Sequence, residues 1–169
     1  SNPEDSSFIH FAKSSDDGET WTDPVRISIK GGDCLDGDDT VEGAMPALGR
    51  EGMLYTVWSG PHGLMLRSSA DRGQTWSPTE QMLFEHEGGW TIDVPDFYRS
   101  NGLPVFISDH NSDSPHYGNL YLNWAIEDEE TGRTSVLFSK SENNGESWSS
   151  PVQVHKDSSQ YNHFLTWMT

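Results

Sequence analysis

The sequence predicts an all-β chain assembled from repeated four-stranded antiparallel units. Three observations carry that expectation. An eight-residue pattern, S-x-[DN]-x-G-x-[ST]-W, occurs as SSDDGETW (14–21), SADRGQTW (69–76) and SENNGESW (141–148). A second pattern, G-x-L-Y-x-x-W, runs from Gly52 to Trp58 and again from Gly118 to Trp124, upstream of the later two copies of the first. The segments around both patterns alternate apolar and polar residues with the period of half-buried strands, which excludes helical repeats.

From the amino end, residues 8–30 supply two strands, FIHFAKS and TDPVRISI, on either side of the first motif. In that motif Ser14 and Asp16 cap backbone N–H groups, Gly18 supplies a positive φ and Trp21 packs back against the sheet. Residues 44–85 hold a whole unit, with strands near 44–49, 53–59, 63–69 and 80–85. Its third and fourth strands are joined by the turn of Ser69, Asp71, Gly73 and Trp76. Residues 102–156 repeat this plan, with strands near 102–108, 119–126, 134–140 and 151–156 and the turn of Ser141, Asn143, Gly145 and Trp148. Asn143 keeps the side-chain acceptor and loses its charge, so the motif reads as a structural staple rather than a catalytic group. The closing NHFLTWMT (162–169) reads as the first strand of a further unit.

Four-stranded units repeated at this spacing are the sequence sign of β-propeller blades, which bury their faces against their neighbours around an axis. Two whole units, half of one before them and a strand after them fall short of the at least about four blades that close a ring. The expectation is therefore a partial propeller, completed by blades of the same parent chain or of a partner chain.

Composition narrows the partners. Acidic residues outnumber basic ones by 27 to 10, a net charge of −17, whereas a nucleic-acid surface needs clustered Lys and Arg. Neither a membrane span nor a leader segment is legible. Cys34 is the single cysteine, which excludes an intrachain disulfide.

The three turn motifs and the phrases TVEGAMPALG, GMLYTVWSGPHG, RSNGLPV, GNLYLNW and HFLTWMT resemble the Asp-box, or bacterial neuraminidase, repeats of the sialidase superfamily, and in particular its bacterial exo-α-sialidase-like proteins. The resemblance covers nearly the whole chain. It implies a six-bladed propeller and a glycoside hydrolase acting on terminal sialic acid or a related sugar, with no required cofactor and a secreted, periplasmic or cell-surface location. Members use an arginine triad on the sugar carboxylate, a Tyr nucleophile activated by Glu, and an Asp acid/base. Two of the arginines and the Tyr with its Glu normally come from later blades, so the chain alone is expected to be inactive. A non-catalytic propeller that binds glycan or protein through the same face is the alternative.

Strand order sorts the loops by face. Segments 31–43, 59–63, 85–101 and 127–133 lie opposite the Asp boxes, on the side that is catalytic in sialidases. There the resemblance points to Arg99, in FYRSNGLP, as an anion-binding substrate residue, although Pro104 stands five residues on where the family motif has it at two. A salt bridge of Arg99 to Asp96 is the structural alternative. Glu42, just before a strand, is the candidate for proton transfer. His62 and His163 are candidate hydrogen-bonding residues for a ligand, or ordinary structural histidines. Asp36, Asp38 and Asp39, with Asp33 and Glu42 beside them, form either a site for Ca2+ or another hard cation, or a solvated acidic loop. Asp109, Asn111 and Asp113 form D-x-N-x-D on the Asp-box side, remote from the chemistry.

Overall fold

The computed structural model describes residues 5–35, 37–86, 92–157 and 161–169, with only the backbone of Tyr98 and Arg99. Among those residues the chain is all-β, and no helix is long and apolar enough to cross a membrane. In chain order the strands are β1 (Ser6–Ser7), β2 (His10–Phe11), β3 (Val25–Arg26), β4 (Gly32–Asp33), β5 (Glu42–Leu48), β6 (Leu54–Ser59), β7 (Leu64–Ser69), β8 (Gln81–Phe84), β9 (Ile92–Val94), β10 (Phe97–Ser100), β11 (Val105–Ser108), β12 (Leu120–Asp128), β13 (Arg133–Ser141) and β14 (Val152–Gln153).

Two four-stranded antiparallel sheets dominate, ordered β5-β6-β7-β8 and β11-β12-β13-β14, each strand paired with its neighbour in sequence. The second strand of each is enclosed on both faces. That is why β6, LYTVWS, is buried at every position and reads as an apolar run rather than an alternation. The largest core lies between the two sheets, where Tyr55, Val57, Leu64 and Leu66 meet Phe106, Leu120, Leu122 and Trp124. Burial of each large apolar side chain there stabilises the fold by about 1.5–3 kcal/mol. A second cluster packs Ile9 and Ile27, beside the β2-β3 pair, against Val41, Trp58 and Met65.

The two tryptophans of the G-x-L-Y-x-x-W repeat do the same job in successive units. Trp58 faces Ile9 and Ile27, and Trp124 stacks on Phe84 of the preceding sheet at 4.8 Å, with 19° between the rings. Polar ties follow the same direction. The Arg67 guanidinium donates to the Ser77 carbonyl at 2.7 Å and to that of Ile27, and the Glu80 carboxylate accepts from the Ile29 and Lys30 amides. Arg50 donates to the Tyr117 carbonyl, and the Ser108 hydroxyl to that of Leu48.

Three features were not anticipated by the alternation. β1 pairs with β4, so part of the acidic 31–43 segment is a short ribbon. Within 85–101, β9 and β10 form a hairpin that turns at Pro95 and Asp96, the latter at φ 65°. Proline fixes φ and aspartate tolerates the left-handed region, which suits a tight reversal. Ile92 and Val94 then face Ala125, Val136 and Phe164. Finally, residues 161–169 form no strand. The His163 amide bonds to the Thr134 carbonyl at 3.0 Å, but Leu165 lies at φ 54°, which breaks the extended run before a ladder develops.

Candidate functional site

The eight-residue motifs build three copies of one turn. In the first, the Ser14 hydroxyl donates to Asp16 Oδ1 at 2.7 Å and accepts the Gly18 amide at 2.8 Å, while Asp16 Oδ1 accepts the Thr20 amide at 2.9 Å. Ser69, Asp71, Gly73 and Thr75 repeat these contacts at 2.7, 2.8 and 2.8 Å. Ser141, Asn143, Gly145 and Ser147 do so at 3.0, 2.9 and 2.9 Å. The threonine hydroxyl and amide that bond to the charged form hold the Asp16 and Asp71 carboxyls down at about 2. Every carboxylate lone pair in use is spent on the turn, which makes these residues staples.

The motif tryptophans differ. Trp76 packs edge-on against Phe11 at 5.2 Å, and Trp148 packs against Phe84 and Phe106, but Trp21 is 65% exposed. Both packed rings reach the sheet or strand pair that precedes their own unit. Trp21 has no such unit before it among the described residues.

The first strands of the two sheets lie side by side, and a cavity of about 430 Å³ opens at their edge. It is lined by Gly43, Ala44 and Met45 of β5, by Asn101, Leu103, Pro104 and Val105 at the entry to β11, and by Leu165, Thr166 and Trp167. A bulge in the β5-β6 ladder falls between Glu42 and Met45, with Gly43 at φ 67°. A Cβ at Gly43 would lie 2.8 Å from the Leu103 side chain, so glycine is what permits this close approach. Trp167 is 72% exposed and offers a flat apolar face at the rim. The lining carries apolar groups, one amide, one hydroxyl and one indole N–H.

None of the predicted site residues is among the described residues that line this cavity. Glu42 begins β5 directly before Gly43 and is half-buried. Arg99 lies in β10, two residues before Asn101, and its side chain lies outside the described residues. His62 is exposed in the turn between β6 and β7 and lines no cavity described here. His163 lines a second cavity of about 410 Å³, with Val136, Val154, His155, Asn162, Phe164 and Thr166. Thr166 belongs to both cavities, so they flank one segment.

Asp36 lies outside the described residues. Asp38 is half-buried and Asp39 exposed, and the Asp39 carbonyl accepts the Asp33 amide at 2.9 Å. Asp33 Oδ1 is occupied by the Leu35 amide at 3.1 Å and the Thr40 hydroxyl at 3.3 Å. In the 109–114 loop, Asp109 accepts the Asn111 amide and the Ser114 hydroxyl, and Asn111 accepts the Asp113 amide. Those side chains hold their own turn.

Two histidine environments escaped the sequence reading. His86 bridges the sheets: Nδ1 lies 3.2 Å from the Ser59 hydroxyl and Nε2 3.3 Å from the Ala125 carbonyl. Burial pushes its pKa below the ordinary value, against opposing hydrogen bonds from the Ala125 and Gly102 backbone. His155 stacks on His163, with centroids 3.6 Å apart and 7° between the rings, and Asp157 Oδ2 lies 3.4 Å from His163 Nε2. The local signal was the H-x-D spacing of His155 and Asp157 directly after β14.

A scan of protein-family models gives no match to this chain, and a search of curated proteins gives none either.

Proposed function

We propose that the chain forms part of a sialidase-like β-propeller glycoside hydrolase that acts on terminal sialic acid or a related sugar of glycans. The observation that carries the reading is the cavity where the first strand of one sheet, at 43–45, and the entry to the first strand of the next, at 101–105, meet the segment 165–167. A propeller converges its first strands on its axis, and that is where such folds hold ligands. Its size lies within the roughly 300–1,000 Å³ typical of small-molecule sites. Trp167 supplies the kind of face on which a sugar ring stacks, and Asn101 and Thr166 supply hydrogen-bonding groups. Glu42 and Arg99 stand beside the cavity in sequence, as the proton-transfer and carboxylate-binding groups of this reading.

A second reading, a non-catalytic glycan-binding propeller, is favoured by one specific observation. Among the described residues, those lining the cavity include no ionisable side chain. Release of fluorophore from a fluorogenic sialoside by the chain together with the blades that complete the propeller separates the two, since the hydrolase reading expects the chain alone to be inactive. Turnover that is abolished by Glu42→Gln assigns catalysis to this chain, and sugar binding without turnover assigns the binding role. Turnover unchanged by Glu42→Gln refutes the assignment of Glu42.

A further inference from the structure

We propose that His155, Asp157 and His163 form a binding site for a borderline divalent transition metal, of which Zn2+ is the type. Among the described residues, this is the group of histidine, cysteine and acidic side chains whose ligating atoms all lie within 4.8 Å of one another. Two imidazoles and one carboxylate form a donor set that suits Zn2+ and its neighbours, whereas Ca2+ takes oxygen ligands.

The histidine arrangement points the same way. The two rings stack in parallel 3.6 Å apart, which gathers their nitrogens into one cluster. Nδ1 of His155 and Nδ1 of His163 are both shielded from solvent and have no hydrogen-bond partner among the described residues. Buried polar nitrogens are ordinarily satisfied, so an orphaned pair in one cluster marks a missing partner. Gln153 places its side-chain amide 2.5 Å from His155 Nε2. The oxygen and nitrogen of that amide exchange places by a simple flip, which makes Gln153 a ready fourth donor or a support for the ring.

The site joins two parts of the chain. His155 and Asp157 follow β14 at the edge of the second sheet, and His163 belongs to the segment that returns over β13. Asn162 fastens that return by accepting the Thr134 amide at 3.0 Å. Three residues beyond His163 the same segment supplies Thr166 to the larger cavity, followed by Trp167. A bound ion therefore ties the edge of the second sheet to the segment that carries Thr166 and Trp167. This inference stands on the cluster alone and is independent of the glycan reading.

The test is titration of the whole chain with zinc chloride by calorimetry, with calcium chloride in parallel and cobalt(II) as a spectroscopic probe. The expected result is one Zn2+ per chain, a cobalt(II) complex with the visible bands of low coordination number, and no comparable heat from Ca2+. His155→Gln, His163→Gln and the exposed Asp157→Asn should each weaken Zn2+ at least about tenfold, since even residues that only support a ligand cost about 10–100-fold. His62→Gln, at an exposed turn, should change nothing. Circular dichroism of each variant separates ligand loss from unfolding, and Asp157→Asn provides the test if a histidine variant does not fold. Absence of Zn2+ binding, or binding that survives Asp157→Asn and either histidine variant unchanged, overturns the site.

Discussion

Replacing Gly73 by alanine places a methyl carbon 2.4 Å from Phe11 Cε1 and 2.8 Å from Cζ, in a backbone held at φ 80°. Two costs add. The left-handed backbone disfavours any L-side chain by about 1–2 kcal/mol. Forcing the Phe11 ring aside, in a packed contact shared with Trp76, costs a further 1–3 kcal/mol or so. Gly18 occupies the same place in the first motif, at φ 92°, but a Cβ there meets nothing within 4 Å. Gly145, at φ 84°, would gain only ordinary contacts of 3.5 to 3.8 Å. The expected loss is thus about 2–5 kcal/mol for Gly73→Ala and about 1–2 kcal/mol for Gly18→Ala and Gly145→Ala. Urea unfolding followed by circular dichroism measures all three, read from the midpoint at constant slope. Adding Phe11→Ala to Gly73→Ala should remove the excess, because the two residues touch and their effects couple. Equal losses at Gly73 and Gly18, or an excess that persists without the Phe11 ring, would refute the packing of the second motif against the β2-β3 pair.

Other outcomes follow from the charged groups. Asp16 and Asp71 ionise at about 2 rather than the ordinary 3.8, so their contribution to stability is complete above the ordinary value and is lost as pH falls through it towards about 2. Amide resonances of Thr20 and Thr75 should shift with a midpoint near that lower value, while Ser147, bonded to the uncharged Asn143, shows no such step. For His86 the depressed pKa means that the unfolded chain binds the proton more readily. Its contribution is full above the ordinary 6.5 and is lost as pH falls below it. Denaturant unfolding between about pH 8 and about pH 5 should show a steeper acid loss for the wild type than for His86→Gln, and parallel curves would exclude His86 as a source.

The repeats made the sheets legible because the constraint is local. Ser69 and Asp71 contact the turn they belong to, and a glycine at positive φ is required wherever that turn recurs. The G-x-L-Y-x-x-W strands were legible for the same reason, although their alternation disappears where β6 is covered on both faces. Contacts between units left weaker traces. Nothing in SADRGQTW distinguishes a tryptophan that meets Phe11 from Trp21, whose partner would come from a different part of the fold. The β9-β10 hairpin was hidden by its short strands, yet its alternation of Ile92, Asp93 and Val94 before Pro95-Asp96 is a usable signal. His163 was singled out alone, while His155 and Asp157 were passed over because the three meet only when the segment returns across β13.

The glycan cavity is tested most directly by saturation-transfer NMR with N-acetylneuraminic acid. Trp167 and Trp21 are 72% and 65% exposed, which makes them matched controls at different places on the surface. The proposed reading predicts transfer from the wild type to the sugar, its loss in Trp167→Ala and its retention in Trp21→Ala. No transfer from the wild type, or equal transfer in the two variants, would contradict a sugar site between residues 43–45, 101–105 and 165–167.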